Sequence, residues 1–404
     1  MLLASLDEMA TWARGLAAPS AGYALLGHSM ASDIVVRHAQ AHPEVRATVA
    51  LSLFAPSITA ETPPDSPRNL LVIDGAWEPA VMHTEALRVV GRGAGPDAQE
   101  RVTYGRFDDG TARRAAYAPG VEHISVLYST DTAAETLAWF DQVYGRTPAP
   151  QPFVAGYGGP LGALLLGLLG LAWMLAPALP RVAASDMPRT ASATAPWPWR
   201  RFWLLAVLPA LATPLLLWKL PSDWLPILLG DYLVLHFGLY GLLTAAALVW
   251  RGGAALAPLR RPALLAATLA VTAFGLLAVG WPVDQLLFNL SPNAVRWPLI
   301  VALAAGTLPW FLADEALTRS PRAPRAAYFA TKLCFLLSLV LAIALNPGRL
   351  FFLALIVPAI LLLFIVFGLF SRWVFHRTGH PWPAAIANAI VFAWFTALTF
   401  PLVA

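Results

Sequence analysis

The stretch "GYALLGHSMASDIVVRHAQAHPEV", residues 22–45, decides how the first third of this chain is read. "YALL" is a short apolar run, as suits a strand buried on both faces in a parallel sheet. Gly27 and Ala31 flank Ser29 at two-residue spacing, in a G-x-S-x-A pattern. Small residues are needed there when a strained turn carries the chain from a strand into a helix packed close against it. "MASDIVVRHAQAH" reads as that helix, with Ile34, Val35 and Ala39 on its inner face. Its N-terminus points at Ser29, where the helix dipole and unpaired N–H groups favour negative charge. "PEV" ends the helix, and "RATVALSLFAP" (46–56) reads as the next buried strand.

The chain around this segment is not uniform. Of 404 residues, 58% are hydrophobic and only 12% are charged, too apolar for one soluble globular protein. Residues 1–150 mix charges with short apolar runs. From Val154 onward long uncharged stretches recur. The net charge of +4 comes almost wholly from Arg, with Lys only at 219 and 332. No dense basic run interleaves with aromatics, so nucleic acid is not an expected partner. The single cysteine, Cys334, excludes an intrachain disulfide. Residues 1–20 lack an apolar core of signal-peptide length.

A membrane helix needs about 20 apolar residues. Eight stretches qualify: 154–178, 202–218, 225–250, 262–281, 298–317, 327–346, 350–370 and 382–403. The segment 282–297 reads as interfacial or re-entrant, and 179–199 as a polar loop. Arg and Lys set orientation. Arg181, Arg189, Arg200 and Arg201 follow the first span, and Arg251, Arg260 and Arg261 the third. Arg319, Arg322 and Arg325 follow the fifth, and Arg372 and Arg377 the seventh. The alternate loops hold only Lys219, Arg296 and Arg349. The Arg-rich loops are therefore expected in the cytoplasm. Residues 1–150 and the C-terminus are then expected outside it, in the periplasm of a bacterial inner membrane. Within the spans, Asp231 and His236 are read either as a proton or substrate path or as structural hydrogen bonds. Lys332 is expected to snorkel or to pair with Asp314 or Glu315. His376 and His380 have a metal-like spacing, but Gly379 and Pro381 break the helix that would align them.

With "PRNLLVIDGAWEP" (67–79) and "RRAAYAPGVEHISVLYS" (113–129) added, the segment resembles the alpha/beta-hydrolase superfamily. The resemblance implies a nucleophile elbow at Ser29, a penultimate core strand with an acid-bearing turn, and a last strand followed by a histidine loop. It places the acid at Glu78, three residues after Gly75, with Asp74 as the alternative, and the general base at His123. The order Ser29, Glu78, His123 is the family's order. The N–H of Met30 is the implied first oxyanion donor. "STDTAAETLAWFDQVYG" (129–145) fits the closing helix. "RVTYGRFDDGTARRAAYA" (101–118) reads as an added hairpin with Asp-Asp-Gly at its turn, its charges a solvated face.

The resemblance covers residues 1–150 and lacks the family's early strands and the loop that carries a second oxyanion donor. One helix, residues 3–17, precedes the elbow strand. The expectation is that the missing strands, with an export signal or membrane helix, lie upstream of Met1. A degenerate domain, or a donor supplied from elsewhere in the protein, are the alternatives. The expected architecture is thus an α/β domain with a mostly parallel sheet (1–150), then an all-α transmembrane bundle (151–404). The expected activity is hydrolysis of a small-molecule or lipid-like ester through an acyl-serine, in contact with a lipid bilayer and without cofactor or metal. The competing reading is a non-catalytic transporter or scaffold carrying a hydrolase remnant.

Overall fold

A computed structural model describes residues 2–16, 22–147, 152–154, 156, 158–184, 196–251, 256–286 and 289–403. The chain divides into two compact units, Met1–Tyr157 and Gly158–Ala404.

The first unit is built on four parallel strands in the order β1-β2-β3-β4. They are β1 (Tyr23–His28), β2 (Val45–Leu51), β3 (Leu70–Gly75) and β4 (Arg113–Ala118). Side chains alternate between the two faces of a strand. Ala50, Val72 and Ala115, in register across β2, β3 and β4, join one core with Val36, Ala86, Val89 and Val90. These come from α2 (Met30–Ala41) and α3 (Ala80–Ala94). Val49, Leu71, Ile73 and Ala116 face the other way, onto Trp139 and Val143 of α4 (Thr130–Tyr144). Covering both faces explains why these strands read as unbroken apolar runs. The first helix, α1 (Leu2–Arg14), packs on α2 through Leu6 and the buried Ala10. The other edge of β1 pairs with no strand among the described residues.

The 101–118 segment is a minimal hairpin. Tyr104 and Arg113 exchange backbone hydrogen bonds of 2.9 and 2.8 Å. Asp109 Oδ1 accepts from the Thr111 N–H at 3.0 Å, and Gly110 has φ +88°. Its charges divide: Arg101, Arg106, Asp108 and Asp109 are exposed, as a solvated face requires, but Arg113 and Arg114 are not. Arg113 is buried, and its guanidinium donates to the carbonyls of Pro64 and Pro67. Arg114 pairs with Glu135 of α4 at 3.1 Å. Lying between helices, β4 brings both guanidiniums to protein acceptors.

Among its described residues the second unit carries eight helices long and apolar enough to cross a membrane. They are α5 (Gly158–Ala178), α6 (Trp199–Leu217), α7 (Gly230–Trp250), α8 (Arg261–Leu286), α9 (Arg296–Thr318), α10 (Ala327–Leu345), α11 (Leu353–Thr378) and α12 (Trp382–Thr399). Several ends differ from the hydropathy reading, for local reasons. α7 starts after Leu229, which is left-handed (φ 61°). α8 continues through a π-helical turn, Phe274–Val279, into residues expected to be interfacial. α11 runs past Arg372, His376 and Arg377, and stops only at Gly379 (φ +70°), a left-handed helix end.

The loops bearing Arg are joined at one end of this unit. The Val182 N–H donates to Thr378 O at 2.8 Å, Ala184 N–H to Pro258 O at 2.7 Å, and Trp197 N–H to Arg322 O at 2.8 Å. Arg189 lies outside the described residues. The alternate loops join the C-terminal segment instead: Leu228 N–H donates to Pro401 O at 2.9 Å, and Arg296 Nη1 to Phe400 O at 2.7 Å. Eight helices of this length and apolarity are compatible with an integral membrane protein.

The polar residues in the spans have structural partners. Lys332 forms a buried ion pair with Asp314, and Glu315 pairs with Arg319 at 3.2 Å. Asp231 accepts the N–H groups of Trp224 and Leu225 at 2.5 and 2.9 Å. His236 bonds Tyr232 and Ser338, each at 3.2 Å. Asp231 and His236 make separate hydrogen bonds, with no direct bond between them among the described residues.

Candidate active site

All four strands are parallel, so their C-terminal ends lie along one edge of the sheet, and each end contributes a polar side chain. Ser29 follows β1 directly. Its backbone (φ 55°, ψ −124°) is in a region that an L-residue adopts only when its surroundings force it. The constraint is visible. The Ser29 N–H donates to Leu51 O at 2.9 Å, and Ser32, fully buried in the first turn of α2, donates its hydroxyl to Ser29 O at 2.5 Å and to Phe54 O at 3.1 Å. A Cβ at Gly27 would lie 2.5 Å from Ala31 O. That contact is the physical reason for glycine two residues before the serine: helix and strand cross too closely for any side chain.

His123 Nε2 stands 2.9 Å from Ser29 Oγ. Its Nδ1 faces Glu78 Oε1 at 3.3 Å. The serine, histidine and glutamate, separated by up to 94 residues of sequence, are thereby brought into one relay. The Glu78 side chain is fully enclosed, and the Ser52 hydroxyl donates to the same oxygen. Burial pushes the Glu78 carboxyl up. The hydrogen bonds from His123 and Ser52 and the charge of His123 outweigh it and hold the carboxyl below its ordinary value.

Asp74 lies elsewhere. It is fully buried within β3, its Oδ1 accepts the Leu53 N–H at 3.2 Å, and Oδ2 has no partner among the described residues. Burial lifts its carboxyl to about 7, helped by the charge of Glu78 and opposed by the Leu53 hydrogen bond. Of the two acids the sequence left open, Glu78 alone meets His123. The N–H of Met30, first residue of α2, belongs to the turn whose amides have no helical acceptor. It lies beside Ser29, as an oxyanion donor must.

Two groups escaped the sequence reading. His28, between Gly27 and the serine, holds the histidine loop: its Nε2–H donates to His123 O at 2.7 Å, and burial keeps it below the usual imidazole value. Ser52, left-handed at φ 50° at the end of β2, fixes Glu78. Only its place at the C-terminal end of a parallel strand could have flagged it. Ser52→Ala removes one of two donors to Glu78 Oε1. It is expected to cost about 1–3 kcal/mol of stability and to shift the acid limb of a hydrolysis pH profile upward, as the carboxylate loses a stabilising bond. A profile unchanged by the substitution would show that Ser52 does not act through Glu78.

Comparisons with protein-family models, with curated proteins and with solved structures gave no match.

Proposed function

We propose that the protein is a membrane-integrated serine hydrolase of the alpha/beta-hydrolase type, acting on ester bonds outside the cytoplasm. The observation that carries this reading is the continuous relay Ser29 Oγ–His123 Nε2 at 2.9 Å and His123 Nδ1–Glu78 Oε1 at 3.3 Å, at the head of a helix. A serine hydroxyl is a weak nucleophile and needs a base to take its proton. His123 takes it as Oγ attacks the ester carbonyl carbon. Glu78 holds the imidazole tautomer and balances the cation that forms. The Met30 N–H receives the developing oxyanion. Collapse of the tetrahedral species expels the alcohol, protonated by His123, and leaves acyl-Ser29. Water, activated by the same histidine, then releases the acid.

An apolar acyl group is supported by the rim. Trp77 and Ile124, the chain neighbours of Glu78 and His123, are 72% and 57% exposed, and Phe54, bonded to Ser32, is 40% exposed. Large exposed apolar side chains beside a reactive centre suit a lipid-like ester. The Arg-bearing loops, expected in the cytoplasm, support a first unit on the opposite side after one membrane crossing.

One experiment tests activity and sidedness. A membrane-impermeant fluorophosphonate applied to spheroplasts, whose outer membrane has been opened, is expected to label the wild type and not Ser29→Ala. Labelling only after lysis would overturn the orientation and keep the hydrolase. Absence of Ser29-dependent labelling even after lysis would overturn the hydrolase and favour a non-catalytic role.

A further inference from the structure

Away from the relay, at the far end of α2, the side chains of Asp7, His38 and His42 converge. His38 and His42 stand four residues apart on α2 and its C-terminal cap, so both lie on one face of the helix. Their rings are stacked, with centroids 4.1 Å apart and planes at 20°. Asp7 of α1 places Oδ1 2.8 Å from His38 Nδ1 and 3.5 Å from His42 Nε2. All three ligand atoms lie within 4.8 Å of one another. Bonds of about 2.0–2.2 Å to a tetrahedral zinc put neighbouring ligand atoms roughly 3.4 Å apart, a value between the two distances from Asp7 Oδ1.

The remaining ring nitrogens are already occupied. His38 Nε2 meets the Tyr23 hydroxyl at 2.7 Å, and His42 Nδ1 meets Glu44 Oε1 at 3.3 Å. A metal-binding histidine needs such a partner on its second nitrogen, which fixes the tautomer and turns the other nitrogen's lone pair toward the ion. His38 is buried at 2% exposure. Its Nδ1 approaches Asp7 without hydrogen-bond geometry and has no other partner among the described residues. A proton or a metal ion can bridge a ring nitrogen and a carboxylate oxygen at 2.8 Å; the second imidazole, His42, supplies the further ligand that a metal uses and a proton does not.

We propose that Asp7, His38 and His42 form a zinc site that clips α1 onto α2, the helix that Ser29 precedes. Two imidazoles and one carboxylate, with no sulfur, suit Zn2+ among common ions. Asp7 and His42 are partly exposed, 53% and 32% by side chain. A fourth position therefore faces water, and the ion can exchange.

The test uses the full-length protein in detergent, stripped with EDTA and titrated with Zn2+ against a chromophoric indicator. One equivalent is expected to bind. Asp7→Asn and His42→Gln, at partly exposed positions, should each weaken it at least ten-fold, and Glu44→Gln by about 10–100-fold. His123→Gln and His376→Gln should bind as the wild type does. A Co2+ visible spectrum present in the wild type and lost in His42→Gln gives an independent readout. No binding at micromolar Zn2+, or binding that survives Asp7→Asn and His42→Gln, or binding lost in His123→Gln or His376→Gln, would overturn the proposal.

Discussion

Glu78→Gln is expected to lower ester hydrolysis on the order of 10⁴-fold, while Asp74→Asn leaves it within a few-fold of wild type. The two acids sit four residues apart and flank the same glycine, but their surroundings set them opposite tasks. Glu78 is held ionised by the groups it touches, so it can orient His123 and balance its charge. A glutamine there can present its amide to Nδ1 and favour the wrong tautomer. Asp74 sits in the sheet with its carboxyl raised to about 7 from an ordinary 3.8, and it reaches only the Leu53 amide. Asparagine keeps that acceptor. Its effect should appear in stability instead. Because the folded-state value is raised, the native protein holds this proton more tightly than the unfolded chain does. Wild-type stability is therefore full below pH 4 and falls as pH rises through 7. The asparagine variant escapes that loss, gaining on the order of 4 kcal/mol over wild type by pH 8. Urea unfolding at pH 5 and pH 8, beside kinetics, separates the two acids. Activity lost in Asp74→Asn and kept in Glu78→Gln would reverse their assignment.

Lys332→Ala is expected to be the most damaging single change in the membrane unit. The ammonium pairs with Asp314 and lies over the Tyr328 and Trp310 rings at 4.0 and 4.8 Å. Both charged side chains are nearly sealed, at 8% and 5% exposure. Removing the lysine strands a buried carboxylate, at a cost of about 3–5 kcal/mol. Removing both charges does not: Lys332→Met with Asp314→Leu replaces the pair by apolar volume and should recover most of the loss. Unfolding in mixed micelles would measure both variants. A double variant no better than the single one would show that the pair itself, not the stranded charge, sets the stability.

Much of this architecture was legible because its signals are local. Gly27, Ser29 and Ala31 announce the tight turn within five residues, and the two-faced apolar runs of β2 and β3 announce a covered parallel sheet. The spans were legible from length and hydropathy, but their ends were not. Arg372, His376 and Arg377 look like a loop by composition, yet the helix continues until Gly379 permits a left-handed residue. Ser52 was silent because a serine at a strand end has many uses, and only the arrival of Glu78 from the next strand gives it this one. The choice between Asp74 and Glu78 was likewise closed to sequence. It turns on which acid lies within β3 and which lies past its end.

The polar row along the sheet edge has a consequence for how the protein tolerates change. Ser29, Ser52, Glu78 and His123 follow β1, β2, β3 and β4 in turn, one group per strand. Their spacing is therefore a measurement of strand register: sliding any one strand by a single residue moves its group about 3.3 Å, more than the whole Ser29–His123 contact. Insertions in the connections at the opposite edge leave that alignment untouched. A single residue gained or lost inside a strand erases it.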